Sequence, residues 1–202
     1  MTTLHPDAAR RHNTVAQAVT DVLSPLHLVV AVLLLVGAVS AHDPFRGAGW
    51  GLLAAVFIGG LPYAFLLHGV RRGRYTDRHV RVRQQRTGPL LFAGGCVITG
   101  LVLLALLGAP RQLLALVVAM LVGLAVTMAI TLAWKVSVHT AVAAGTVVIL
   151  TLVLGPELLV TWPAVALVGW SRVQLRDHTL AQVVAGAALG GVIAATVFTA
   201  LR

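Results

Sequence analysis

The sequence predicts an all-α integral membrane protein, a polytopic helical bundle of about 6–7 transmembrane helices. Three observations predict it. Hydrophobic residues fill 58% of the 202 positions and charged ones only 10%, and the mean hydropathy is +0.93, well above a soluble norm of about half apolar. The apolar residues fall in runs near the ~20 residues that a bilayer requires. Turn residues separate those runs, as at His42-Asp43-Pro44, Gly108-Ala109-Pro110-Arg111 and Gly155-Pro156.

Residues 1–20 read as a polar N-terminal tail, either mobile or a short surface helix, and 21–202 as a single transmembrane helical domain. Arg10 and Arg11 precede no apolar core and no small-residue cleavage pattern follows, so a cleavable signal peptide is not expected. The first span, 22–41, is entered through Ser24-Pro25, where proline suits a helix's first turn. The second covers 48–70, with Trp50 suited to an interfacial aromatic belt and Tyr63 deeper. Gly59, Gly60 and Pro62 predict close helix packing or a kink there. The third and fourth spans cover 90–108 and 112–133. The fifth covers 139–154, the sixth is short at 158–170, and the seventh runs 179–201 with G-A-A-L-G-G offering small residues for close packing. His27, His42 and His68 read as interfacial histidines. Cys96 stands alone inside an apolar run, as a small hydrophobe rather than part of a disulfide framework or cysteine metal site.

Three polar stretches interrupt this pattern. Arg71 to Pro89, R-R-G-R-Y-T-D-R-H-V-R-V-R-Q-Q-R-T-G-P, carries seven arginines in sixteen residues. It reads either as a basic loop or, because Asp77, Arg78, Arg81, Arg83 and Arg86 recur at near-helical spacing around His79, as part of a site. Lys135, Ser137 and His139 stand before the fifth span. Ser171, Arg172, Arg176, Asp177 and His178 lie between two apolar runs, a costly placement that marks a functional-site candidate. Two spans separate each stretch from the next, so all three are expected to emerge on one side and converge. Ser and Arg can hold phosphoryl oxygens, and a nearby His can act as nucleophile or proton carrier.

The net charge of +9 is concentrated in these stretches. Basic loops beside a bilayer suit lipid head groups or phosphate substrates, and there is no nucleic-acid motif. Twelve of the fifteen cations fall on the shared side, leaving Arg46, Arg111 and Arg202 opposite; by the positive-inside rule the motif-bearing side is cytoplasmic. The expected location is a bacterial-type cell membrane.

Ser171-Arg172, five residues and then His178 resemble the S-R-x-x-x-x-x-H motif of the phosphatidic acid phosphatase type 2 superfamily of membrane lipid phosphatases. Val136-Ser137-Val138-His139 is similar to a degenerate form of that family's P-S-G-H, and His79 to Arg86-Thr87 is loosely similar to its K-x-x-x-x-x-x-R-P. The resemblance covers mainly residues 135–190. It implies a catalytic pair, His178 attacking phosphorus to form a phosphohistidine and His139 protonating the leaving alkoxide. It implies phosphoryl binding by Arg172, Ser171 and Ser137, with Arg86, Arg83, Lys135 and His79 completing the clamp, and neither metal nor cofactor. Where the family commonly places an Asp four residues after the nucleophilic His, this chain has Gln182. Gln182 or the neighbouring Asp177 would orient the ring. The implied substrate is a membrane lipid, either a polyprenyl phosphate or diphosphate or a phosphatidate-like lipid.

Other classes fit less well. A magnesium-diphosphate prenyltransferase needs paired acidic clusters, which the six acids do not form. Intramembrane proteases of the H-E-x-x-H or G-x-S-x-G type lack their motifs. The remaining alternative is a non-catalytic lipid-phosphate binder, transporter or scaffold on the same architecture, which the Gln182 substitution favours.

Overall fold

In a computed structural model, which describes residues 6–76, 85 and 87–202, the chain is helical, with no strand among the described residues. Helix α1 (Pro6–Val22) breaks at Leu23-Ser24 and leads into α2 (Pro25–Ser40), with proline in its first turn. Helix α3 (Pro44–Arg71) begins before residue 48, where the second span was expected. Asp43 caps it by accepting from the Phe45 N–H at 2.9 Å, and Pro44 fills the first turn, where a missing N–H costs nothing. The expected irregularity near Gly59 is a π turn at Val56–Gly60. Then follow α4 (Thr87–Leu106), α5 (Arg111–Ala133) and α6 (Val138–Leu154). A 3-10 turn at Pro156–Thr161 leads to α7 (Trp162–Gln174), and the described chain closes with α8 (Leu180–Leu201), which holds a second π turn at Ala194–Phe198.

Among the described residues, five segments are long and apolar enough to cross a membrane: Thr14–Ser40, Pro44–Arg71, Thr87–Leu106, Arg111–Ala133 and Leu180–Leu201. The count of six or seven also needs the shorter apolar α6 and the α7 leg. Helix α7 continues to Gln174, past the expected limit at 170, so Ser171 and Arg172 lie on its last turn.

Glycines set how closely the helices approach. A Cβ on Gly37 would lie 2.5 Å from the Gly47 carbonyl, and one on Gly51 would lie 2.5 Å from that of Leu33, so α2 and α3 meet backbone to backbone. The G-A-A-L-G-G run of α8 does the same against α6. Gly190 lies on the Ala141 backbone, and Gly186 lies on the Ser137 carbonyl and the Thr140 hydroxyl. Leu33, Val36, Leu104, Leu113, Leu116, Val117 and Phe198 join α2, α4, α5 and α8 in the main core. A smaller cluster of Ala144, Val147, Val165 and Val168 joins α6 to α7.

Contacts define two ends. At one, Ser40 donates to Gln112 at 2.9 Å, Arg111 to the Leu201 carbonyl at 2.9 Å, and Arg202 to the Leu152 carbonyl at 2.6 Å. At the other lie the α1–α2, α5–α6 and α7–α8 junctions with the flanks of the basic segment, and this end holds the polar residues.

Candidate functional site

The spacing between Arg172 and His178 is one helix terminus. Helix α7 ends as Leu175 N–H bonds to the Ser171 carbonyl at 3.0 Å and Arg176 N–H to that of Val173 at 2.9 Å. Arg176 takes a left-handed φ of 57°, a conformation that usually falls to glycine just past a helix end. The chain then folds back, and the Arg172 carbonyl accepts from both Asp177 N–H (3.0 Å) and His178 N–H (3.2 Å). This reversal brings the Asp177 carboxylate onto the Arg172 guanidinium, 2.7 Å from Nη2, with both side chains almost fully buried. An arginine buried among apolar helices needs such a counter-charge, because its desolvation is otherwise uncompensated.

Three further contacts hold the reversal in place. Lys135 Nζ donates to the Asp177 carbonyl at 2.5 Å. Ser137 N–H donates to the Gln182 carbonyl at 3.2 Å. Thr140 Oγ1 donates to the Val183 carbonyl at 2.9 Å. The stretches around Lys135–His139 and Ser171–His178 therefore converge, as their placement in the sequence predicts. Ser137 is the N-cap of α6, its hydroxyl accepting from Thr140 N–H at 3.4 Å, so His139 stands in the helix's first turn. That first turn presents backbone N–H groups and the positive end of the helix dipole, which favour an anion.

A cavity of about 510 Å³ opens from this end into the bundle. His139, Arg172 and His178 line it beside Asp21, His27 and Tyr63; most of the remaining wall is apolar, including Val97, Leu116, Ile149 and Ile193. His139 and His178 are themselves buried. The other expected site residues stand behind this wall. Ser171 donates to the Val168 carbonyl at 2.8 Å, and Ser137 and Lys135 make the bonds given above. The Gln182 side chain accepts from Thr179 N–H at 3.2 Å while Thr179 Oγ1 caps Gln182 N–H at 3.3 Å, a reciprocal capping box for α8. His79, Arg83, Arg86 and Asp77 lie outside the described residues. The flanks of their segment reach the site: Pro89 and Leu90 line the cavity. Thr76 N–H and Oγ1 both donate to Gln85 Oε1 at 3.0 Å, tying the segment's ends together.

Helix α1 supplies what the sequence reading left out. Its Thr20 is fully buried, with Oγ1 3.0 Å from Ser171 Oγ and 3.4 Å from Arg172 Nη1. Asp21, gripped by Gln17 Nε2 at 3.1 Å, reaches the cavity. Ala16 and Thr20, four apart and both buried, form a small-residue face legible in A-Q-A-V-T-D once α1 is known to be helical.

Together these features define a membrane-embedded helical protein whose charged site opens into an apolar chamber. Residues 131–202 match the family model of the PAP2 superfamily, consistent with a member of that superfamily and with phosphatase-type lipid phosphate activity in general. The match spans α6, α7 and α8 with His139, Arg172 and His178. No curated protein and no solved structure matches the chain.

Proposed function

We propose that the protein is a metal-independent lipid phosphatase that hydrolyses a phosphomonoester or diphosphate on a lipid through a phosphohistidine. The observation that carries this reading is the shared wall of His139, Arg172 and His178 at the head of an otherwise apolar cavity. A phosphate head with an apolar tail is the ligand complementary to both parts. Arg172 holds the phosphoryl oxygens and neutralises charge as it spreads over them, with the first turn of α6 beside it. His178 attacks phosphorus, the bond to the lipid oxygen breaks, and His139 gives that oxygen its proton. Water, deprotonated by His139, then attacks the phosphohistidine and releases inorganic phosphate. The resemblance assigns the rest of the clamp to the cations of the basic segment, Arg83 and Arg86. Asp177 balances Arg172, leaving the dianion to be matched by those further cations.

The lipid is reached laterally from the bilayer, and either a polyprenyl phosphate or diphosphate or a phosphatidate-like lipid satisfies the site. Purified protein in detergent with EDTA, given a panel of these lipids, is expected to release phosphate, and His178→Ala is expected to lose that activity. A second reading, a non-catalytic lipid-phosphate binder or transporter, is favoured by one observation: the Gln182 side-chain oxygen is committed to the Thr179 capping box, and no carboxylate stands at that position to support an imidazolium. Lipid binding without turnover in the same assay would select it.

A further inference from the structure

We propose that Thr20, carried by α1 from outside the segment that matches the superfamily, is a positioning residue of the phosphate site and sets the orientation of Arg172. The proposal rests on the reading of Arg172 as the phosphoryl ligand. The hydrogen-bond directions are fixed by what each group can give. Arg172 Nη1 only donates, so Thr20 Oγ1 accepts from it at 3.4 Å. Ser171 Oγ gives its proton to the Val168 carbonyl at 2.8 Å, so across the 3.0 Å contact it accepts the proton of Thr20. The relay therefore runs from Arg172 to Thr20 to Ser171 to the α7 backbone, and the Thr20 hydroxyl is both acceptor and donor in it.

The guanidinium is gripped on two edges, Nη2 by Asp177 at 2.7 Å and Nη1 by Thr20. Both grips lie away from the cavity lining, which includes Arg172 but neither Thr20 nor Asp177. A planar fork so held faces the cavity in one orientation, which is what bidentate recognition of a phosphoryl group requires. Ser171 thus acts at one remove from the ligand, through Thr20. The N-terminal helix, docked on α7, becomes a component of the site rather than an accessory to the bundle.

The test compares full-length wild type, Thr20→Ser, Thr20→Val and Thr20→Ala in detergent, with inorganic phosphate as the probe in calorimetry and lipid turnover measured beside it. Thr20→Val and Thr20→Ala are expected to weaken phosphate binding about tenfold, the scale of one hydrogen bond to a charged group, and to lower kcat/KM in parallel. Thr20→Ser, which keeps the hydroxyl, is expected to stay within about twofold of wild type. Two non-polar variants guard against one failing to fold. Wild-type phosphate affinity in a folded Thr20→Val or Thr20→Ala protein would overturn the proposal. So would a Thr20→Ser protein as impaired as Thr20→Val, because the loss would then follow from any change at this buried position rather than from loss of the hydroxyl. If the wild type binds phosphate but turns over no lipid, the hydrolase reading falls while the binding comparison still decides the role of Thr20.

Discussion

Arg172 and Asp177 form a buried pair in which each makes the other tolerable. Removing one partner of such a pair typically costs about 3–5 kcal/mol, because it strands the other charge. Asp177→Asn is therefore expected to lower the thermal midpoint markedly. The unbalanced Arg172 would be relieved by any anion that enters the cavity, so inorganic phosphate is expected to raise the variant's midpoint by more than it raises that of wild type. Equal shifts in the two proteins would count against Arg172 as the phosphate ligand. The motif residues were legible in the sequence because a Ser-Arg and a His between apolar runs have few other reasons to be there. Their division into cavity wall and supporting layer was not legible. It depends on the left-handed turn at Arg176, which decides that Asp177 folds onto Arg172, and a one-dimensional pattern does not report a backbone angle.

Among the elements, the long apolar runs could be read directly, since only helices satisfy the backbone of such segments in lipid. Helix α1 was harder to see. It is mostly polar, and the face that docks is made of Ala16 and Thr20 rather than of large hydrophobes. The small residues of α8 were recognised as packing residues, and the structure assigns them unequal roles. Gly190→Ala would drive a methyl into the Ala141 backbone, whereas a Cβ on Gly191 meets only Val148 Cγ2 at 3.8 Å. Gly190→Ala is accordingly expected to force α8 away from α6 and abolish phosphate release, while Gly191→Ala keeps wild-type activity. Both are read from turnover and from the yield of monodisperse protein in detergent. Comparable behaviour of the two variants would show that the seam yields more readily than its backbone contacts imply.

At the scale of the whole molecule, the cations sort by end. Lys135, Arg172 and Arg176 lie with the flanks of the basic segment at the site end, and Arg111 and Arg202 cap helix carbonyls at the other. By the positive-inside rule, a site facing the cytoplasm is the orientation to test. In a Cys96→Ala background, an Arg176→Cys side chain in this exposed turn is expected to resist a membrane-impermeant thiol reagent applied to intact cells and to react after lysis. Labelling from outside would reverse the orientation. The short α6 has a consequence of its own. Its 17 residues rise about 25 Å at 1.5 Å each, less than the ~30 Å depth of a hydrocarbon core. A helix this short either draws the bilayer thinner around it or leaves an end below the level of the head groups, and His139 stands in the first turn of one of its two ends. Each methylene lifted out of oil into water costs about 0.8 kcal/mol. A phosphate site sunk to that depth would spare the lipid that extraction, and the substrate would arrive by sideways diffusion within one leaflet rather than by escape from it.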